Sequence, residues 1–150
     1  MFNSIRQLLD VFARKRLRRR VMRALALNRR GEARGDTLSL NRLNNRLEIE
    51  WRAREVHPWD RDLPEQRIAH LFAVQCLDDT SAALERLFSE LAEIDIIEFK
   101  VMHPVSNVLI VLGSVARLET RTVKANSTGM RLKQLGVTYR LRDWQFEPLV

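Results

Sequence analysis

The sequence predicts an α+β protein of the split βαβ, ferredoxin-like kind (βαββαβ over residues 66–147), a two-layer domain preceded by a basic N-terminal helix and one extra strand. Three observations predict it. Apolar residues run or alternate at strand length near residues 68–77, 94–102, 108–115 and 137–141. Helical periodicity falls between them, near residues 83–91 and 127–135. The first 35 residues differ from the rest in both charge and periodicity.

The N-terminal element comes first. Residues 2–27 contain no Gly or Pro, and Phe2, Ile5, Leu9 and Phe12 recur at three- and four-residue steps, as on one helical face. At about 100° per residue, the apolar set of the first half (Ile5, Leu8, Leu9, Phe12) lies well over a right angle from that of the second (Leu17, Val21, Ala24, Leu25). A straight helix then shows its two halves to different surroundings; otherwise it bends near residues 14–16. Gly31 and Gly35 close the segment, with residues 29–37 as a linker. The expected division is 1–35, a basic helical arm and linker, and 36–150, a single α+β domain.

Residues 46–54 alternate polar and apolar, the period of a half-buried strand with Leu47, Ile49, Trp51 and Ala53 inward. A short helical or irregular segment is expected at 39–45, because Leu40, Leu43, Leu47 and Trp51 also fit helical spacing. Pro58 and Pro64 bracket a polar loop. Residues 68–77 then read as a strand, with a helical turn over 65–71 as the alternative start, and Asp78, Asp79, Thr80 and Ser81 as caps of a helix whose inner face is Ala83, Leu84, Leu87, Phe88 and Leu91. Residues 94–102 and 108–115 form a hairpin around the turn residues 104–107. A second helix, securest over 127–135, stops at Gly136, and residues 137–141 make the closing strand, with Trp144 and Phe146 continuing beyond Asp143.

Charge separates the two parts. Residues 1–35 carry eleven basic side chains against two acids, Asp10 and Glu32, a local net of +9, whereas the remainder has 15 basic and 17 acidic residues, a net of −2. Six of the seven positions from 14 to 20 are cationic. Such a cluster is drawn to phosphate through counterion release, and arginine can fork two donors onto one phosphate. The expected anion-binding residues are Arg14, Lys15, Arg16, Arg18, Arg19, Arg20 and Arg23. Nucleic acid or a ribosome-like surface suits the cluster. A membrane surface suits the cluster and the apolar residues beside it. A third arrangement lays the apolar face of the helix on the body and solvates the arginines.

Other chemistry is thin. His57, Asp60 and Asp62 are the one place where an imidazole and two carboxylates lie close together on a loop, weak candidates for a hard metal or for acid–base work. The plainer reading docks Trp59 on the core and lets Asp60 or Asp62 cap a turn and pair with Arg61 or Arg67. His70 and His103 read as partly buried, and Cys76 as a small core residue of a strand. As the sole cysteine, Cys76 excludes an intramolecular disulfide framework, and cytoplasmic localisation is expected. The longest apolar run, residues 108–112, is far short of the roughly 18–20 residues of a membrane-spanning helix. Residues 108–115 hold neither aromatic nor cation, which argues against base stacking on the sheet. Their unbroken apolar character predicts that both sheet faces are covered, by the N-terminal helix, the extra strand or a second copy.

The function expected from these residues is binding rather than catalysis, with no cofactor implied: a dimerising α+β body whose Arg-rich helix contacts nucleic acid or another polyanion. The alternatives are a small-molecule-sensing regulatory domain, a peripheral membrane-surface protein and, last, a metal-assisted enzyme centred on His57, Asp60 and Asp62.

Overall fold

The computed structural model describes residues 2–25, 37–121 and 123–149. Helix α1 (Phe2–Ala24) is followed by strands β1 (Thr37–Leu43) and β2 (Arg46–Arg52), a 3-10 turn (Pro58–Asp60) and the long helix α2 (Glu65–Glu90). Strands β3 (Ile96–Met102) and β4 (Leu109–Ala116), the short helices α3 (Arg117–Thr120) and α4 (Thr128–Gln134), and strands β5 (Thr138–Tyr139), β6 (Leu141–Arg142) and β7 (Gln145–Phe146) complete the chain. The expected linker at 29–37 lies almost wholly outside the described residues.

The protein is α+β with a mixed five-stranded sheet, but its strand order is not that of a split βαβ unit. The order is β1-β2-β3-β4-β5, each strand beside its neighbour in sequence. Strands β2 and β3 pair in parallel, joined by α2 with no strand between them, while β1–β2, β3–β4 and β4–β5 are antiparallel. Two misread segments account for the difference. Residues 68–77 are the first half of α2, whose buried positions Ala73, Cys76, Leu77, Thr80, Ala83, Leu84, Leu87 and Phe88 form one unbroken stripe at three- and four-residue steps. Asp78 to Ser81 therefore lie mid-helix and cap nothing. The Thr80 hydroxyl donates to the Cys76 carbonyl one turn back at 2.8 Å, and Asp79 meets Arg54. The second misreading is residues 39–45, of which 39–43 belong to β1 and 44–45 form the turn that follows it. Asn44 turns the chain into β2 at φ +56°, a conformation Asn tolerates better than most residues.

Strand β2 alternates as its sequence dictates: Leu47, Ile49 and Trp51 are buried, and Trp51 stacks on Phe99 of β3 with ring centroids 5.4 Å apart. Helix α2, helix α4 and the last turns of α1 cover this inner face. The outer face is open, which corrects the expectation drawn from residues 108–115. From Val111 onward, alternate residues of β4 point inward, so Ser114 is exposed and Leu112 half-buried; Ile110 and Val111 are both buried beside the register shift at Val101 and Met102. The outer rows run Asn41, Glu48, Glu98, Ser114 and Ser39, Glu50, Lys100, Leu112. A polar surface of this kind removes the reason for placing a second copy over it.

The end of α2 is closed from a distance. Arg117 donates from Nη1 to the Phe88 carbonyl and from Nη2 to the Leu91 carbonyl, both at 2.7 Å, and also bonds the Ile94 carbonyl. Its guanidinium also lies 4.9 Å from the centre of the Phe88 ring. The Phe88 carbonyl is one that a helix C-terminus leaves without a backbone partner, whereas the Leu91 carbonyl also accepts from the Ile94 N–H at 3.0 Å. At α4, Ser127 accepts from the Met130 N–H, and Gly136 ends the helix at φ +90°, the stop that the sequence predicts.

A candidate surface-binding helix

Helix α1 is uninterrupted, so its two apolar faces meet different surroundings. Val21, Ala24 and Leu25 are buried in the core and Leu17 packs against it. Phe2, Ile5, Leu8, Leu9, Val11 and Phe12 are exposed; Phe2 is 86% accessible. Only the C-terminal part of the helix is seated on the body. This excludes the arrangement in which the apolar N-terminal face covers the domain.

Among the seven expected anion-binding residues, the structure separates two kinds. Arg20 is engaged internally: its Nη1 and Nη2 donate to Oε1 and Oε2 of Glu93, the latter at 3.0 Å, and Nη2 also donates to the Glu90 carbonyl at 2.8 Å. The arginine holds the Glu93 carboxyl below the ordinary carboxylate range, with Arg42 3.5 Å away adding to the effect, and Glu93 in turn raises the Arg20 guanidinium. Arg23 makes one looser pair with Glu90 at 3.5 Å and remains largely accessible. Arg14, Lys15, Arg16, Arg18 and Arg19 are exposed, and among the described residues no carboxylate lies within ion-pair distance of them.

The helical wheel orders what remains. At about 100° per residue, the body-facing set Leu17, Val21, Ala24 and Leu25 lies opposite an arc of roughly 120° that carries Phe2, Ile5, Leu8, Leu9 and Phe12 in the first half. Lys15, Arg16, Arg19 and Arg23 fall within or beside that arc in the second half. Along the side turned away from the body, an apolar segment therefore runs into a basic one. The aligned halves escape detection when the whole helix is averaged, because the C-terminal apolar face cancels the N-terminal one.

Comparisons with protein-family models, curated proteins and solved structures find no match. The remaining candidates stand on their own geometry.

The His57 loop does not form a centre. His57 Nδ1 accepts from the Trp59 N–H at 3.2 Å within the 3-10 turn, and Arg61 pairs with Glu55 at 3.0 Å. Among the described residues, no group of three His, Cys, Asp or Glu side chains is gathered closely enough to hold a metal ion. Trp59, expected to dock on the core, is instead 86% accessible. The adjacent Pro58 and the turn carry it outward.

Inside the body, Arg54 Nε and Nη2 donate to the two oxygens of Asp79 at 2.6 and 3.2 Å. Burial nonetheless raises the Asp79 carboxyl above its ordinary value, with Arg54 opposing the shift. Cys76 lies in α2 rather than a strand; burial, then the Asp79 charge, pushes its thiol up to about 12. At such a value it is an inert core group.

Two concave surfaces were not visible in the sequence. One is a trough of about 640 Å³ on the outer sheet face, bordered by Glu48, Glu50, Glu98 and Lys100, where Arg46 pairs with Glu98 at 2.9 Å. The other is a cavity of about 690 Å³ between the first half of α2, the β3–β4 turn and the β6–β7 hairpin. Its one sequence signal is the Asp143-Trp144 step between two short apolar-alternating stretches, which marks a tight turn bearing an aromatic residue.

Proposed function

We propose that this protein is a non-catalytic binding protein that docks on an anionic membrane surface through α1. The observation that carries this reading is the bare apolar half of the helix, aligned on the side away from the body with Lys15, Arg16 and Arg19, which have no carboxylate partner among the described residues. Nucleic acid, the first expectation from charge alone, would use Arg14 to Arg19 but leave Phe2, Ile5, Leu9 and Phe12 in water. An acyl boundary uses both. Each apolar side chain fully withdrawn from water contributes roughly 1.5–3 kcal/mol, and each cation near an anionic surface about 1 kcal/mol. The pattern is that of a helix lying in the interface, not across it: no described helix is long and apolar enough to span a bilayer.

Co-sedimentation of the full chain with phosphatidylcholine vesicles, with and without phosphatidylglycerol, tests the reading. Binding is expected only to the anionic vesicles, to weaken with added salt, and to disappear in Ile5→Asp or Leu9→Asp without a change in melting temperature. Retention on duplex DNA that persists when Phe2, Ile5, Leu9 and Phe12 are all changed to Ser, together with no vesicle binding, returns the helix to nucleic acid. Concentration-dependent dimerisation lost in Leu9→Asp, with no vesicle binding, assigns the apolar half to a second copy instead.

A further inference from the structure

The end of α2 remote from the arm carries the cavity of about 690 Å³, a size typical of small-molecule sites. Phe72 and Glu90 are eighteen positions apart, about 27 Å along the helix at 1.5 Å per residue, so this site is separate from the arm. Val56, Ile68, Phe72, Val108 and Phe146 line the cavity, and Phe72 and Phe146 meet edge to face with centroids 5.9 Å apart.

Two features distinguish the cavity from a packing fault. The first is Trp144. Asp143 and Trp144 occupy the centre of the β6–β7 hairpin at φ +50° and +64°, positions that Asn and Gly fill at little cost and a bulky aromatic does not. Trp144 is held there with its ring edge-on to His70, 4.1 Å between centroids, yet half of it remains accessible beside the opening. The strain brings an aromatic surface to the mouth of the cavity.

The second is His103. Its Nδ1 accepts from the backbone N–H groups of Val105 and Ser106, both at 3.2 Å, which places the ring proton of the neutral imidazole on Nε2. Among the described residues no group accepts from that Nε2–H. The ring lines the cavity and lies 5.2 Å from Phe72. Charge in the lining limits what can enter: it holds two carboxylates, Glu55 and Glu65, against one guanidinium, Arg61, which is paired with Glu55. Anions are disfavoured there.

We infer that this cavity binds a small, neutral, flat aromatic molecule bearing a carbonyl oxygen, its ring among Phe72, Phe146 and Trp144 and its oxygen accepting from the His103 Nε2–H. Aromatic walls supply the affinity and a single placed donor supplies the orientation.

Acetophenone, ethylbenzene and benzoate form a probe series of similar shape, followed by NMR titration of the full chain at the Trp144 indole and the His103 ring. Acetophenone should bind saturably with shifts at both residues, about fivefold tighter than ethylbenzene, the worth of one neutral hydrogen bond, and benzoate should bind weakest. His103→Asn retains an acceptor for the two turn N–H groups and should abolish the preference for acetophenone. Trp144→Gly relieves the turn and should weaken both neutral probes without lowering the melting temperature. Equal affinity for acetophenone and ethylbenzene in the unchanged protein, or no saturable shift at Trp144 and His103, overturns the assignment.

Discussion

Arg20 and Glu93 clasp each other with both guanidinium ends on both carboxylate oxygens, and this pair fastens α1 to the C-terminal end of α2. Glu93 also lies 3.5 Å from Arg42 of β1, so one carboxylate ties together the helix, the hairpin and the loop after α2. Glu93→Gln removes that charge. Amide exchange at Val21 to Leu25 should accelerate several-fold, while amides of β3 and β4 keep wild-type protection; unchanged exchange over 21–25 shows that apolar packing alone seats the helix.

Acid should undo the same contact. The Glu93 carboxyl is held below its ordinary value of 4.5, chiefly by the Arg20 hydrogen bond. The folded state therefore binds fewer protons than the unfolded state in this window. The resulting stabilisation is complete above the ordinary carboxylate value and is lost as pH falls through the lower, folded-state value. Melting curves of the wild type and Glu93→Gln should converge below pH 4.5. A gap of constant width across that range contradicts the linkage.

Arg117 closes carbonyls of Phe88, Leu91 and Ile94 at once. Arg117→Met keeps the aliphatic stem and removes every donor. Leu91 keeps the Ile94 N–H, so the Phe88 and Ile94 carbonyls lose their partner, and the loss should be about 3 kcal/mol in urea unfolding. Arg117→Lys should recover only part of it, since one ammonium cannot span the three sites. Full recovery by lysine means that charge near the helix end matters more than the fork.

His103 should make the β3–β4 turn sensitive to mild acid. Burial holds its imidazole below the ordinary 6.5, with Glu55 opposing. Here the unfolded state gains the proton first, so stability falls as pH drops below that ordinary value. A proton on Nδ1 also displaces the donations from Val105 and Ser106. Between pH 7.5 and 5.5 the melting temperature of the wild type should decline more steeply than that of His103→Asn; parallel slopes count against a role for this histidine.

Much of the fold could be read from local pattern. The β3–β4 hairpin, the Ser127 cap and Gly136 stop of α4, and the alternation of β2 follow from residues within a few positions of one another. The misreadings arose where the deciding partner is remote. Asp78 to Ser81 resemble a helix start because nothing nearby explains an acid there; Arg54, 25 positions earlier, does. Without that partner, residues 68–77 are cut off at strand length and the split βαβ topology follows. For β1, the Leu40, Leu43, Leu47 and Trp51 spacing masked the two-residue turn at Asn44 and Asn45. The basic cluster was evident, but its division was not. That Arg20 is internally engaged and Arg19 is not depends on Glu90 and Glu93, some seventy positions away.

The long reach of Arg117 bears on the order of assembly. The guanidinium that completes α2 comes from the residue just past β4, 26 positions beyond Leu91. The helix end has its own backbone closure through the Leu91 and Ile94 N–H groups, but the Phe88 carbonyl meets its partner only once the following hairpin has docked. Completion of the helix end is thereby tied to closure of the sheet, a contact between residues distant in sequence rather than a local one.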